Sequence, residues 1–410
     1  MKLRNIAIRN LKRNSKRSIL SITATAIATF AISFMFSFIA GLANDMRNVS
    51  FNYSTGEILV RNIEFDEKSF SLDRAVDNYK SVLEVLRRNY PSFEFSPRIK
   101  FPSTVFDKED YDKSYISSGV AVNFETEEKY LGLKDKIIEG KMPSGPREVI
   151  MGHGLASELN LKVGDKFTPI TTTRRGASTG ITFIITALGR FADSGFSNKT
   201  FIVSLEDLPK MLKMEGSVSD ILIKGIGDKN LESKVNEISS LLKDSGFNSI
   251  KGYSWKDVGV GYSFLQMADY AYTIIGIFFF FLASTVIANT MLMVVFERRK
   301  EIGTITAMGM TSREVIRLFF IEALYLGVIG AGAGVILSII VVIPLHRIGL
   351  DLSGLTAGIE MGASFNIFPE VTIKSTLLVF FYSTFVAAFV SFFPSRGASK
   401  VDPVVALRSE

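Results

Sequence analysis

The sequence predicts an α-helical membrane protein with four transmembrane helices and a large mixed α/β extracytoplasmic domain between helices 1 and 2. Three observations predict it. Four stretches, 18–44, 270–296, 323–345 and 375–395, carry no charged residue, and each suffices to cross a hydrocarbon core of roughly 30 Å at about 1.5 Å per helical residue. Basic residues crowd the flanks of these stretches asymmetrically. Between the first two, the chain changes to short apolar strands and amphipathic helices.

The ends come first. Residues 1–17 hold Lys2, Arg4, Arg9, Lys12, Arg13, Lys16 and Arg17 and no acid. Within them Leu3, Ile6, Ala7 and Leu11 share a helix side, as in a helix lying on the inner membrane surface. The stretch 18–44 is too long for a signal-peptide core and no small-x-small site follows it, so it reads as helix 1. Arg298, Arg299, Lys300, Arg313 and Arg317 lie between the second and third stretches, and Arg396, Lys400 and Arg408 follow the fourth. The short loop after the third offers only His346, Arg347 and Lys374. The positive-inside rule then places both termini and 297–317 in the cytoplasm. The expected organisation is a cytoplasmic basic segment 1–17, helix 1 at 18–44, an extracytoplasmic domain at 45–269, helix 2 at 270–296 and a cytoplasmic hairpin at 297–317. Helix 3 at 318–345, an external loop at 346–374, helix 4 at 375–395 and a cytoplasmic tail at 396–410 complete it. The net charge of +6 has a membrane explanation and calls for no nucleic acid. There is no cysteine, so the exported domain must rest on its own core, and neither a lipobox nor a thiolate metal site is available.

In the domain, Glu57-Ile58-Leu59-Val60 reads as a strand, 72–89 as a helix with Leu72, Ala75, Val76, Tyr79, Val82, Leu83 and Leu86 at helical spacing, and 93–101 as extended, with Pro97 and Pro102 marking edges. A second unit has the strand Ile221-Leu222-Ile223, Asp228 as N-cap, a helix through Leu231, Val235, Ile238, Leu241 and Leu242, and Gly246 as its stop. Two β-α-β halves around a strand-rich insertion at about 103–218 follow. In the insertion, 148–151, 166–170, 181–188 and 200–204 read as strands and 155–159 as a short helix; Ser204 reads as the N-cap of another. The polar loop 171–180 carries Arg174 and Arg175.

Catalytic reagents are missing. The nearest approach to a Walker A, Gly132 to Gly140-Lys141, has the wrong spacing and Met142 in place of the hydroxyl that would bind Mg²⁺. Two distant histidines, His153 and His346, exclude a histidine metal cluster and count against a Ser-His-Asp site. No cofactor is expected in this chain, and it is expected not to be an enzyme.

The informative segment is 289–334. A membrane helix ends in Glu297-Arg298-Arg299-Lys300-Glu301. A short helix follows, with Ile302, Ile305 and Met308 on one side, and Gly309 stops it. Thr311 starts the next helix and Glu314 completes a capping box. Asn289, Thr290, Val295, Glu297, Arg298, Glu301, Ile302, Gly303, Ala307, Gly309, Glu322 and Ala323 match the coupling region of the FtsX/MacB/LolC-type ABC transporter permeases, which this segment closely resembles. The ending, with Pro394, Ala398, Pro403, Ala406, Leu407 and Arg408, resembles the terminal signature of that family, with Asp402 as cap and Pro403 at N1 of a last short helix. The stretch 149–165 with its Val163-Gly164-Asp165, and the stretch 196–207, look most like the lipoprotein-releasing (LolC/LolE) permeases.

The resemblance implies a permease that extracts lipoproteins from the bacterial inner membrane by mechanical transmission and passes them to a periplasmic lipoprotein carrier. The alternatives are MacB-like export of other amphiphiles and FtsX-like transmembrane signalling. It implies two copies of a cytoplasmic ABC ATPase, which bind the ATP and Mg, and a second permease, identical or paralogous. ATPase coupling would fall to Glu297, Arg298, Arg299, Glu301, Ile302, Gly303, Ala307, Gly309 and Glu314. Carrier docking would fall to Thr171, Thr172, Thr173, Arg174 and Arg175, and the acyl-chain cavity to Phe30, Phe34, Phe278 and Phe279. Glu322, inside helix 3, reads as a structural partner of the coupling hairpin. Ala323, Gly327, Gly330, Ala331 and Gly334 form small-xxx-small rows for close helix packing.

Overall fold

A computed structural model describes residues 3–13, 15–65, 72–106, 113–227, 230–258, 260–297, 299–351 and 366–398. The chain divides into two compact units: a helical one (Met1–Ala43, Gln266–Asp351 and Asn366–Glu410) and an α/β one (Asn44–Leu265 and Leu352–Phe365). Helix α1 (Leu3–Arg13) precedes α2 (Ser15–Val49), which closes with a π-turn, Ser50–Ser54. The uncharged stretch is thus the middle of a longer helix, because nothing in Asn44 to Val49 forces the backbone to leave the α region.

The α/β unit runs β1 (Ile58–Asn62), β2 (Val76–Asp77), α3 (Tyr79–Asn89), β3 (Glu94–Phe106), β4 (Ser114–Val122), α4 (Phe124–Leu131), β5 (Ile137–Gly140) and β6 (Glu148–Gly152). It continues with α5 (His153–Glu158), β7 (Lys166–Phe167), β8 (Ile170–Thr172), β9 (Ser178–Gly180), β10 (Phe183–Gly189), α6 (Ser194–Lys199) and β11 (Thr200–Ser204). The last elements are α7 (Leu208–Leu212), β12 (Ser217–Val218), β13 (Asp220–Lys224), α8 (Leu231–Asp244) and β14 (Ile250–Ser254). One sheet has the order β14-β1-β13-β3-β4-β11-β6-β10-β5. The two β-α-β units therefore interleave: β13 of the second lies between β1 and β3 of the first, antiparallel to both, as in a split β-α-β fold. Ile58, Leu59 and Val60 are all fully buried, as expected of a strand covered on both faces.

The insertion is not a separate body in this sheet. Strand β3 runs through the expected boundary at 103, pairing with β13 over its first five residues and with β4 from Arg98 to Phe106. Pro97 and Pro102 each lie where β3 has a partner on one side only, a local edge of the sheet of the kind expected, where a residue without an N–H is tolerated. Strand β4 escaped the sequence reading because its serines and glycine are poor strand formers. Gly119 is nonetheless required, since a Cβ there would collide with the Phe101 ring. The core gathers Val120, Val122, Leu133, Ile150, Ala187 and Ile202 with Tyr53 and Phe191.

Other boundaries move for local reasons. Helix α3 starts at Tyr79, not 72, because Asn78 has φ 50° and Val76 pairs with Val218. The helix expected after Ser204 begins at Leu208, where Pro209 suits the first turn, and Ser204 Oγ instead accepts from Glu206 N at 3.1 Å. Gly246 does follow α8, at φ 89°. Asp228 lies outside the described residues.

The helical unit continues with α9 (Val260–Glu297), α10 (Arg299–Ala307), α11 (Ser312–Ile348), a short ladder of β15 (Leu350–Asp351) and β16 (Asn366–Ile367), α12 (Ile373–Val390) and α13 (Phe392–Ala398). Among the described residues three helices, not the expected four, are long and apolar enough to cross a membrane: Ser18–Ser54, Ser312–Ile348 and Ile373–Arg396. The remaining expected stretch, helix 2 at 270–296, is one helix within α9, several of whose side chains lie outside the described residues. The terminal helix expected from Asp402 and Pro403 also lies outside them.

The small residues of α11 pack as their spacing suggests. A Cβ on Gly327 would stand 2.8 Å from Ala387 Cβ, and one on Gly330 would stand 2.7 Å from Thr25 Cβ. Facing them, α2 buries its own row of small residues at every fourth position, Ser21, Thr25, Thr29, Ser33 and Ser37, the arrangement that lets helix backbones approach.

Candidate functional site

The segment between α9 and α11 is a folded hairpin. Helix α10 ends where Met308 N and Gly309 N donate to the Thr304 and Thr306 carbonyls, and Gly309 takes φ 101°, a conformation a side chain would strain. The next helix opens with a complete capping box: Glu314 N donates to Thr311 Oγ1 at 3.4 Å and Thr311 N donates to Glu314 Oε2 at 2.8 Å. Ile302 packs with Val315 and Phe319 under Met310, which latches α10 onto α11. Gly303 is buried, while Ala307 is exposed. The side chains of Glu297, Arg298, Arg299, Glu301 and Ile305 lie outside the described residues.

Met308, expected on one side of the helix with Ile302, does not share the burial of Ile302. It is 83% exposed, because α10 stops one residue earlier and the turn throws the side chain outward. The tip of the hairpin therefore presents an apolar thioether beside exposed Gly309, Thr311, Ser312 and Arg313. Such a tip can seat in a pocket of another protein, with Met fitting itself to the pocket's shape.

Glu322 is 3% exposed, and one of its partners lies on α1. Asn10 on α1 donates from Nδ2 to Glu322 Oε1 at 2.6 Å, and Leu11 and Ile22 pack beside Ala323, Leu326 and Ala387. The N-terminal helix is thereby fastened to α11. Asn10, a polar position on an amphipathic helix, gave no sign of this in sequence.

The polar loop 171–180 is a tight hairpin, β8 to β9, closed by Thr173 N donating to Ala177 O at 2.8 Å. Thr171 is buried with its hydroxyl on Pro102 O at 2.6 Å, and Thr173 Oγ1 accepts from Ala177 N. Arg174 forms a forked pair with Asp77, 2.8 and 3.2 Å, and holds that carboxyl below its ordinary range. Of the five residues expected to dock a carrier, Thr172 and Arg175 are exposed. Among the cavity candidates, the structure brings together Phe30 with Phe34 (ring centroids 6.0 Å) and Phe278 with Phe279 (6.4 Å); Phe278 is largely exposed.

A helical unit with a capped hairpin between long apolar helices, joined in one chain to a large α/β unit, defines a membrane protein with a folded turn between two of its helices. The profile of the MacB-like periplasmic core domain matches residues 18–241, more than half of the chain, and that of the FtsX-like permease C-terminal domain matches residues 273–403. The chain belongs to the FtsX/MacB family of ABC transporter permeases. It is 22% identical to the uncharacterised ABC transporter permease MJ1507 of Methanocaldococcus jannaschii, over 98% of this chain and 97% of that one. It is 22% identical to the lipoprotein-releasing system transmembrane protein LolC of Neisseria meningitidis serogroup B, over 69% and 71%. To the macrolide export ATP-binding/permease protein MacB of Pasteurella multocida it is 32% identical, over 30% of this chain but only 17% of that larger protein. The extracellular domain of the YknZ transporter from Gram-positive bacteria covers 48% of the chain at 12% identity and a TM-score of 0.34, and 99% of that domain is matched.

Proposed function

We propose that the chain is the membrane subunit of an exporter that takes its power from a separate ATPase and uses mechanical movement to expel an amphiphile. The observation that carries this is the hairpin. Its capping box and the Ile302–Val315–Phe319 latch make it stiff, and its exposed Met308 gives a partner something to grip. Two cytoplasmic ATPase copies, holding ATP and Mg, would close on two such hairpins, one from each of two permeases, identical or paralogous. Helix α9 would serve as the fourth span, with both termini and the hairpin in the cytoplasm and the α/β unit outside.

The substrate class we favour is lipoprotein drawn from the inner membrane, supported by the likeness to LolC along 69% of the chain. Export of other amphiphiles is the second reading, favoured by the higher identity to MacB over 30% of the chain. A periplasmic carrier would meet Thr172 and Arg175 rather than Arg174. Met308→Asp tests the proposal: it buries no new group in the permease, so insertion and folding persist, while co-purification of the ATPase and ATP-driven release from proteoliposomes are lost. Normal release by this variant would show that the hairpin tip is not where the ATPase engages.

A further inference from the structure

The exit of the first membrane helix is held by an unusual concentration of donors. A helix leaves its last four carbonyls without intrahelical partners and carries about half a negative charge at that end. Here the carbonyls of residues 51 to 54, which already belong to the α/β unit, each receive a side-chain donor from elsewhere in it. Tyr130 Oη donates to Phe51 O at 2.7 Å. Arg98 donates to Asn52 O at 2.8 Å and Tyr53 O at 3.0 Å. Lys100 donates to Ser54 O, and Lys224 donates to the Asn52 side chain at 2.9 Å. The remaining carbonyl, Ser50 O, takes Thr55 N and Gly56 N.

The cations are themselves held. Arg98, 1% exposed, pairs with buried Glu127 at 2.6 Å, and its Nε reaches Ser96 Oγ, which donates in turn to Glu127. Lys100 faces Asp220, which Arg61 binds at 2.6 Å. Burial pushes the Lys100 ammonium down to about 8, against the pull of Asp220. Burying so many charges costs stability unless geometry demands them. A plain helix cap would need one hydroxyl or a glycine. Trp255, the only tryptophan in the chain, extends the assembly: its ring meets Phe51 edge-on at 5.6 Å and Tyr262, in the first turn of α9, at 5.4 Å.

We infer that Arg98, Lys100, Tyr130 and Lys224 form a grip on residues 51–54 that passes displacement of the first membrane helix into the α/β unit, with Trp255 joining the grip to the start of α9. These are positioning residues. The inference deepens the proposed exporter and rests on it for the source of the displacement. A cap of ordinary kind stabilises a helix end; a grip of this kind also fixes residues 51–54 on the sheet, so that a pull arriving along the chain reaches the sheet instead of fraying the last turn.

The test uses the full-length permease with its ATPase in proteoliposomes. Tyr130→Phe/Lys224→Met removes two donors at nearly constant volume, and Arg98→Met/Glu127→Met removes the buried pair without leaving a lone charge. Amide exchange over residues 49–56 should rise about fivefold or more, the equivalent of a lost hydrogen bond. Trp255 emission should change between the nucleotide-free and ATP–vanadate states of the unaltered complex. In the variants that change, and export, should fall about fivefold or more while ATPase activity stays within about twofold. Unchanged exchange over 49–56 in the first variant, which is the less disruptive, would overturn the grip. Raised exchange with the Trp255 response and export intact would overturn its role in transmission. An unaltered complex that neither exports nor changes at Trp255 would refute the exporter reading and the transmission role together, leaving the grip decided by exchange alone.

Discussion

Gly334 sits where α11 crosses α2, and adding one methyl group there has a calculable effect. Its Cβ would stand 2.5 Å from Ala26 O, 2.7 Å from Thr29 Cβ and 3.0 Å from Phe30 N, against an ordinary contact of about 3.5–4.0 Å. Two of those atoms are backbone and cannot swing aside, so the helices must part by roughly 1 Å. Overpacking of this size costs about 1–3 kcal/mol, set against about 1 kcal/mol gained from the better helix propensity of Ala. Gly332 provides the control: it lies on the same helix with only Phe380 Cε2 in range, at 3.9 Å, so Gly332→Ala should collect the propensity gain alone. The propensity term cancels between the two, leaving Gly334→Ala less stable than Gly332→Ala by about 1–3 kcal/mol. Titration from mild detergent into a denaturing one, followed by helical circular dichroism, measures both. Equal stability of the two variants would refute the close crossing of α2 and α11.

The other predictions concern charge and sidedness. Asp193 caps α6 by accepting from Gly195 N at 2.9 Å, and burial pushes its carboxyl up from 3.8 to about 6. Between those values the folded state binds the proton more tightly than the unfolded chain, so this group adds stability as pH falls through 6 and costs stability above it. Asp193→Asn keeps the cap and should raise the melting temperature at pH 8 but not at pH 4; an equal gain at both would rule out the titration. Arg174→Ala should cost about 0.5–1 kcal/mol, as its pair with Asp77 is partly exposed, whereas Arg175→Ala should leave stability unchanged in a denaturant melt. Single cysteines at exposed Ser157 and Ser312 test the proposed orientation in a cysteine-free chain. An impermeant thiol reagent on spheroplasts should label only the first, and label on Ser312→Cys alone would reverse the topology.

The features legible in sequence are those whose cause is local. The capping box needs only Thr311 and Glu314, three residues apart, and a membrane helix needs only a long run without charge. The small-residue row on α11 is visible as spacing, and so is its use, because little but packing selects glycine at every third or fourth place in a helix. What stayed hidden depends on residues far apart in the chain. Arg174 looked free because its partner, Asp77, is 97 residues away. Arg98 sits between Pro97 and Ile99 in a strand, and a charge there reads as a solvent-facing position. It points inward only because residues 52 and 53, forty-five or so positions earlier, bring bare carbonyls to that face. Gly119 weakened the strand signal of β4, yet a Cβ there would force the Phe101 ring opposite to shift.

Met308 shows the same limit at short range. The i, i+3 spacing grouped it with Ile302 through Ile305, about 1.7 turns along the helix, but α10 ends at Ala307, before Met308. A single residue past a helix terminus the side-chain direction is set by the turn, here by the positive φ of Gly309. The sequence contained both the period and the glycine that broke it. Giving the glycine precedence would have placed Met308 outside, at the tip where a partner can reach it, and the same precedence applies wherever an amphipathic pattern runs up to a C-terminal glycine.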